Sequence, residues 1–340
     1  MTVLFRVDAG DGSGLGHLSR CLALAAALAE LGSRPVFLVP DQAEVFTRVR
    51  ARGFEALGFP PAELGTPADL NGTAETALRL GCRTVVVDSY HVDESYLTAL
   101  GETGAAVVAI DDLARHALPC RLVVNGGAAA ERLPYRSSAA GTQFLLGPRY
   151  VLLRPEFWDI AARPAGDAVG SVLVTAGGSD PHDLLPSLLD LLDGLPGEFA
   201  VTAVVGPFSR QAARAEATAR RAQRRIAIVH APDSLCELMV KADVAVSAAG
   251  QTLYELVRLG VPTVAFGLVE NQRPNLEALA AAGAVRTAGW AGEAGFATSV
   301  GGAAAELIAD AAARRALAGA AKSLLDGQGA RRVAAAIAAL

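Results

Sequence analysis

The sequence predicts an α/β protein built from two doubly wound domains. Two series of short apolar segments rich in Val, Ile and Phe alternate with segments of helical period rich in Ala, Leu, Glu and Arg. This alternation is typical of βαβ units, and strands that are apolar throughout belong in parallel sheets covered by helices on both faces. A polar break containing Pro and Gly, residues 163–167, separates the series. We therefore predict domains 1–165 and 166–340, with the C-terminal strand ends of both sheets facing an interdomain cleft.

Each half of the chain contains five segments that predict strands. In the first half they are residues 3–7, 36–39, 84–88, 105–110 and 122–125. In the second half they are residues 171–175, 199–205, 226–229, 243–247 and 262–266. The first helical segment, residues 21–31, ends before Gly32. A last helical segment, residues 330–340, is a candidate to pack back on the first domain.

Composition excludes several classes of function. The chain has 340 residues, of which 52% are hydrophobic and 19% charged, so it is long enough for two domains and too apolar to be disordered. The formal net charge of -5 gives no support for a nucleic-acid partner. Lys241 and Lys322 are the only lysines, and neither follows a glycine-rich turn as in a P-loop ATPase.

Cysteine usage and hydropathy predict a cytoplasmic protein. The four cysteines are widely separated and form no C-x-x-C pair, so we expect buried thiols in a reducing compartment rather than a zinc or redox site. We find neither a signal-peptide pattern nor an apolar run of about 20 residues that could span a bilayer. We expect no membrane association, no metal and no cofactor.

The glycine-rich connection after the first strand is the most informative part of the chain. It contains Gly10, Gly12, Gly14 and Gly16, which would let a ligand approach the backbone closely. His17 and Arg20 follow at the start of the next helix. Their spacing of three residues places both side chains on one face of its first turn.

His17 is the residue that we expect to act as a general base. The dipole at a helix N-terminus favours the neutral imidazole that a base needs, and a polar capping role is the alternative. Asp8 ends the first strand, with Arg6 on the same side. Asp8 could orient an imidazole, hold a sugar hydroxyl, or form an ion pair that fixes the loop. The glycines do not match the dinucleotide-binding fingerprint, because His17 stands where the third glycine belongs. NAD binding is therefore kept only as an alternative.

Polar residues also follow two other strands of the first half. Asp88-Ser89-Tyr90 ends one strand, and the Tyr90 hydroxyl could bind a substrate or cap the core. Asp111-Asp112 ends another. We interpret this pair as a loop feature with one helix-capping role, not as a metal site.

Two small-residue turns in the second half open onto helices. They are 176–180 and 247–255, and each would offer free backbone N–H groups to phosphate oxygens. Without a lysine nearby, dipoles and hydrogen bonds would have to neutralise a diphosphate. Glu255, one turn into the second helix, could accept hydrogen bonds from ribose hydroxyls or be a solvated helix residue. A third loop, residues 270–275, could read a base or sugar or cap the next helix.

Taken together, these motifs resemble the PseG family, the nucleotide-sugar hydrolases of pseudaminic acid biosynthesis, which are related to the MurG glycosyltransferases. The matching residues are Arg6-x-Asp8, Gly14-x-Gly16-His17-x-x-Arg20, Asp88-Ser89-Tyr90, Asp111-Asp112, Tyr150-x-x-x-Arg154-x-Glu156-Phe157, Gly177-Gly178-x-Asp180 and 247–255. The resemblance covers about residues 1–290. It implies a GT-B fold of two Rossmann-like domains, with the nucleotide held mainly by the C-terminal one.

The resemblance also implies roles for individual residues. His17 would be the general base for water, with Tyr90 near the scissile bond and Asp8 beside them. Other positions expected to line the substrate site are Arg6, Gly14, Gly16, Arg20, Gly178, Asp183, Asn271 and Gln272. Those expected on the nucleotide are Ser247, Gly250, Gln251, Thr252 and Glu255. The implied reaction is metal-independent hydrolysis of UDP-2,4-diacetamido-2,4,6-trideoxy-β-L-altrose.

The chain departs from the family pattern at three positions, which leaves the nucleotide and the sugar open. Asp183 replaces a usual Asn, and a carboxylate there would repel a diphosphate unless it caps its own helix. Ala249 and Gln251 stand where Gly and Ser are common. Two alternatives to a hydrolase stay open: a glycosyltransferase whose base deprotonates an acceptor hydroxyl, and a non-catalytic nucleotide-sugar sensor. In each case the expected partner is a UDP-sugar.

Overall fold

The computed structural model describes residues 1–10, 15–161 and 164–340. These residues form two compact units. The first unit comprises Met1–Pro155 together with Gly327–Leu340, and the second comprises Glu156–Asp326. The chain thus leaves the first unit earlier than residue 165 and returns to it for its last fourteen residues, 327–340.

The first unit contains a parallel sheet of seven strands. In chain order they are β1 (Thr2–Val7), β2 (Arg34–Pro40), β3 (Glu55–Phe59), β4 (Thr84–Asp88), β5 (Ala106–Ile110), β6 (Leu122–Asn125) and β7 (Gln143–Leu146). Their order across the sheet is β3-β2-β1-β4-β5-β6-β7. The order reverses between β1 and β4, and in such sheets ligands bind outside the carboxyl ends of the strands at this point.

Helices of the first unit cover this sheet. They are α1 (Gly16–Glu30), α2 (Ala43–Ala51), α3 (Pro67–Arg79) and α4 (Glu94–Glu102). Side chains of Thr66 and Asp93 accept hydrogen bonds from the backbone at the starts of α3 and α4, which satisfies donors that a helix leaves open. One core cluster is built on Leu4, Val85 and Leu97, all fully buried.

The second unit contains a parallel sheet of six strands. They are β8 (Ser171–Thr175), β9 (Ala200–Val205), β10 (Ile226–His230), β11 (Val244–Ala248), β12 (Thr263–Gly267) and β13 (Arg286–Trp290), in the order β10-β9-β8-β11-β12-β13. Its helices are α5 (Leu185–Asp193), α6 (Ala212–Arg221), α7 (Cys236–Lys241), α8 (Gln251–Leu259), α9 (Arg273–Ala281), α10 (Phe296–Ala309) and α11 (Ala311–Leu324). The hydrophobic core of this unit includes the fully buried Val174, Val246 and Val264. The prediction of two doubly wound α/β units is confirmed.

The terminal helix α12 (Gly329–Ala338) belongs to the first unit. It packs against α1, and Arg331 pairs with Glu30 of α1 at 2.9 Å. At its first residue, a methyl group added to Gly329 would lie 2.2 Å from the carbonyl oxygen of Val151. Only a residue without a side chain allows this approach.

The four cysteines are free, and Cys21, Cys120 and Cys236 are buried. Across the described ranges, no helix is both long and apolar enough to cross a membrane.

The contact at Gly329 leads to a stability prediction. We expect Gly329→Ala to destabilise the protein by about 1–3 kcal/mol, because the new methyl group must displace the backbone of Val151. Gly72, within α3, is a matched control, since it is exposed and a methyl group there meets open space. Gly72→Ala should be neutral or stabilise by up to about 1 kcal/mol. Urea unfolding of both variants measures this, and equal effects would contradict the packing described for α12.

Candidate functional site

The ends of three adjacent strands bring the polar residues of the first unit together. β1 and β4 pair so that Val7 lies beside Asp88, and β4 and β5 pair so that Asp88 lies beside Ile110. The residues that follow these strands therefore meet at one edge of the sheet. The start of α1 joins them there and contributes His17 and Arg20.

Asp88 and Arg20 form a buried ion pair at this edge. Asp88 is fully buried, and Arg20 donates from both Nε and Nη2 to its two carboxylate oxygens at 2.7 Å. Nη1 of the same guanidinium donates to Asp112 at 3.0 Å. Arginine forks of this kind bind carboxylates strongly and in one orientation. The predicted shared face of His17 and Arg20 is present, because both side chains reach Asp88.

His17 lies against this pair and is only 5% exposed. Its Nδ1 atom is 3.2 Å from Oδ1 of Asp88, at an angle that does not make a hydrogen bond, so Nδ1 has no hydrogen-bond partner in the described part of the chain. The ring of Tyr90 meets the imidazole edge-on, with centroids 4.4 Å apart and planes at 88°. The imidazole is therefore held between a carboxylate and an aromatic ring.

The charge of Asp88 depends on its neighbours. Burial alone would raise the pKa of its carboxyl, but Arg20 and then His17 outweigh burial, so the pKa lies below its ordinary value of 3.8. A lowered pKa in the folded state means that the ionised carboxylate stabilises the fold above about pH 4 and that this contribution is lost as the pH falls through the lowered pKa. Asp88 is thus an anion throughout the neutral range.

Asp8 and Arg6 do not occupy the places predicted for them. The carboxylate beside His17 is Asp88, whereas Asp8 accepts hydrogen bonds from the Ser89 hydroxyl at 2.7 Å and the Tyr90 N–H at 3.2 Å. Arg6 is fully buried and pairs with Asp8 and Asp69. The guanidinium of Arg6 is therefore enclosed by two counter-ions, which is the ion-pair alternative for Asp8, and the expected contact of Arg6 with substrate stays a prediction.

Asp111 and Asp112 have different roles. Oδ1 of Asp111 accepts hydrogen bonds from the N–H groups of Leu113 and Ala114, which closes a turn. Oδ2 of Asp112 instead accepts the hydroxyl proton of Tyr90 at 2.9 Å and a proton of Arg20. Asp111 is a loop residue as predicted, but no helix begins there for it to cap. The prediction missed the contacts of Asp112 with Tyr90 and Arg20.

Of the predicted glycines, Gly10 and Gly16 can be described. Gly10 has a φ of +103°, and a methyl group there would overlap the side chain of Gln42. Gly16 is exposed and begins α1 with open space beside its Cα. Gly12 and the predicted substrate residue Gly14 lie outside the described residues.

In the second unit, the loop after β8 contains Gly178, Asp180 and Asp183. Gly178 is exposed, and its carbonyl accepts a hydrogen bond from the N–H of Phe208. Asp180, not Asp183, binds the start of α5, because its carboxylate accepts hydrogen bonds from the N–H groups of Leu184 and Leu185 at 2.9 and 3.0 Å. Asp183 is exposed and has a φ of +55°. The condition under which Asp183 would tolerate a diphosphate, that it caps its own helix, is therefore not met.

The turn from β11 to α8 leaves some of the predicted nucleotide residues partly exposed and buries others. Gly250 precedes α8, and Gln251 and Thr252 form its partly exposed first turn. Ser247 is fully buried within β11 and donates to the carbonyl of Ala248, and its contact with a nucleotide stays a prediction. Glu255 is 1% exposed, which excludes the alternative of a solvated helix residue. Its contact with ribose stays a prediction.

The loop after β12 adjoins the start of α8. Oε1 of Gln272 accepts the N–H of Leu268 at 2.9 Å, and its Nε2 would lie 4.0 Å from a methyl group added to Gly250. Nε2 of His182 lies 3.1 Å from the carbonyl of Leu268, which ties the β8 loop to the β12 loop. Asn271 is exposed beside Gln272. The three loops thus meet at one edge of the second sheet, around a helix N-terminus that favours anions.

Among the described residues, no group of three or more His, Cys, Asp or Glu side chains is arranged to hold a metal ion.

Comparison with solved structures fixes the fold. The chain matches MurG of Acinetobacter baumannii over 100% of both chains, with a TM-score of 0.71 and 16% identity. It matches the spinosyn forosaminyltransferase SpnP over 100% of this chain and 98% of that one (TM-score 0.67, 14% identity). Staphylococcus aureus MnaA, solved with UDP, matches over 99% and 95% (TM-score 0.66, 13% identity). The chain has the GT-B fold.

The relatives found by sequence match only part of their own length. No protein-family profile matches the chain. It is 23% identical over 283 residues to the uncharacterized protein MJ1062 of Methanocaldococcus jannaschii, a match that covers 80% of this chain and 57% of that protein. It is 31% identical over 150 residues to SpsG, a spore coat polysaccharide biosynthesis protein of Bacillus subtilis, covering 42% and 43%. The chain thus spans about half the length of the curated relatives it matches.

Within this GT-B fold, the residues that sequence reasoning missed are Asp88 as the neighbour of His17 and Asp112 as the partner of Tyr90. A signal for Asp88 was available, since a charged residue that ends an apolar strand requires a buried counter-ion, and Arg20 is the arginine nearest His17 in sequence. The contact of Asp112 depends on the pairing of β4 with β5, which the sequence does not reveal.

The burial of Arg6 leads to a second prediction. Arg6→Met should lower the free energy of unfolding by about 3 kcal/mol or more, because it leaves Asp8 and Asp69 buried without their counter-ion. Arg34→Met is the control, since Arg34 pairs with Glu55 on the surface and its loss should cost less than about 1 kcal/mol. Denaturant unfolding compares the two, and a cost for Arg6→Met as small as that of the control would show that Arg6 does not brace the loop.

Proposed function

We propose that this chain is a metal-independent nucleotide-sugar hydrolase that releases UDP from UDP-2,4-diacetamido-2,4,6-trideoxy-β-L-altrose. The observation that carries the proposal is the buried imidazole of His17, held between the anionic Asp88 and the ring of Tyr90 at a strand-end edge. The residues that resemble the PseG family, the GT-B fold and a relative named for polysaccharide biosynthesis support the same class of substrate. On this proposal the protein acts in pseudaminic acid biosynthesis.

In this reaction His17 is the general base. With Nδ1 3.2 Å from Oδ1 of Asp88, Nε2 takes a proton from water while the water oxygen attacks the anomeric carbon of the sugar. The bond from that carbon to the β-phosphate oxygen breaks, and UDP leaves with the electron pair. The negative charge of Asp88 stabilises the imidazolium that forms, as a carboxylate does beside other catalytic imidazoles.

The second unit binds the nucleotide on this proposal. The leaving diphosphate lies at the N-terminus of α8, where Gly250 allows the approach and the backbone of Gln251 and Thr252 faces the oxygens. Glu255 accepts hydrogen bonds from the ribose, and Asn271 and Gln272 contact the sugar or the phosphates. Gly178, exposed in the loop after β8, contacts the substrate on this proposal.

A glycosyltransferase is the second candidate. It is favoured by one observation, that the solved structures similar to this chain include glycosyltransferases such as SpnP. The same base would then deprotonate an acceptor hydroxyl instead of water. The two candidates differ in whether UDP is released when no acceptor is present.

We expect the purified protein to release UDP from this sugar nucleotide without added acceptor or metal. His17→Ala should lower kcat at least about 100-fold, as loss of a general base does, with little change in the affinity for UDP. His230→Ala is the control, because His230 is exposed and pairs only with Glu216 among the contacts described. Release of UDP is measured by chromatography and affinity by calorimetry.

Turnover that appears only with a glycan or other acceptor would replace the hydrolase by the transferase. Equal losses of turnover and UDP affinity in His17→Ala would show that His17 is structural.

A further inference from the structure

Tyr90 holds the imidazole of His17, and its own hydroxyl is already engaged. The two rings meet edge to face at 4.4 Å, a geometry that aromatic pairs prefer. The Tyr90 hydroxyl donates to Oδ2 of Asp112 at 2.9 Å. Its single proton is therefore committed to a carboxylate and is not available to a leaving group.

The surroundings keep Tyr90 protonated. Burial, and then the negative charge of Asp112, raise the pKa of the Tyr90 phenol far above its ordinary value. The side chain therefore remains a neutral hydrogen-bond donor at every pH at which the protein would work. Tyr90 therefore contacts the imidazole through its ring and does not donate a proton to it.

Asp112 is itself held in place by Arg20. Its Oδ2 also accepts a proton from Nη1 of Arg20 at 3.0 Å, and Arg20 is locked on Asp88 by two further bonds. Five side chains consequently form a closed circuit in which each touches the next: His17, Asp88, Arg20, Asp112 and Tyr90. Such a network can hold one geometry more firmly than its separate contacts would.

We propose that Asp112 is a positioning residue for His17 and acts through Tyr90. By holding the Tyr90 hydroxyl, Asp112 keeps the two rings in their edge-to-face contact and thereby keeps the imidazole beside Asp88, with Nδ1 3.2 Å from Oδ1. This inference rests on the proposed role of His17 as the base, and it assigns Asp112 an effect on turnover rather than on nucleotide binding.

The test compares Asp112→Ala, Tyr90→Phe and the double variant in turnover and in UDP affinity. Each single variant should lower kcat about tenfold, the most that an edge-to-face contact accounts for, while KM and the Kd of UDP change less than about twofold. The double variant should lose no more than Asp112→Ala alone, because removing Asp112 already releases the Tyr90 hydroxyl. Asp112→Asn, which keeps an oxygen for the Tyr90 hydroxyl, should recover most of the loss.

Tyr96→Phe is the matched control. Its hydroxyl also bonds a buried carboxylate, that of Asp69 at 3.1 Å, but it belongs to the cluster around Arg6 and touches neither His17 nor Arg20 in the described contacts. It should leave kcat within about twofold. Losses that multiply in the double variant, or an Asp112→Ala variant with unchanged kcat, would overturn the proposal.

A readout that does not need turnover separates this inference from the proposed function. In protein labelled with ¹³C at histidine Cε1, the His17 resonance, assigned with His17→Ala, should shift or broaden in Asp112→Ala and Tyr90→Phe and stay unchanged in Tyr96→Phe. An unchanged His17 resonance in all three variants would contradict the role of Asp112. A changed resonance in a protein that hydrolyses no UDP-sugar would refute the proposed function alone and leave the positioning role intact.

Discussion

The buried ion pair between Asp88 and Arg20 is the interaction on which the first unit's site depends. A fully buried carboxylate without a counter-ion would cost several kcal/mol, and the fork of Arg20 offsets this with two bonds of 2.7 Å. Arg20 lies one turn beyond His17 on α1. The helix that neutralises Asp88 therefore also brings the imidazole beside it, so one helix supplies both the counter-ion and the imidazole.

A second layer of charges supports the first. Arg6 lies between Asp8 and Asp69, and Asp8 in turn holds the backbone and hydroxyl that follow β4. These groups stabilise the loop that carries Tyr90. The loops around α8 in the second unit are joined by contacts of Gln272 and His182 with Leu268, and the N-terminus of α8 presents backbone dipoles to an anion.

The sequence predicted the central strands well and the edges poorly. All ten predicted strands are present, because strands with helices on both faces are continuous apolar runs. The strands that were missed, β3, β7 and β13, are all at sheet edges, where one side of the strand lacks a neighbour and polar residues or Gly interrupt the pattern. At the site, spacing along α1 correctly paired His17 with Arg20, whereas the choice of Asp88 over Asp8 depends on pairing between strands distant in sequence.

The state of the Asp88 carboxyl tests this account most directly. We would follow it by ¹³C NMR in protein labelled at aspartate, assigned with Asp88→Asn, while the pH is lowered from 7 towards 3. The account predicts that Asp88 stays ionised below its ordinary pKa of 3.8 and that in Arg20→Gln it takes up a proton at higher pH, because burial then acts without the opposing charge. An Asp88 carboxyl that titrates at or above 3.8 in the unaltered protein, or that is indifferent to the loss of Arg20, would contradict it.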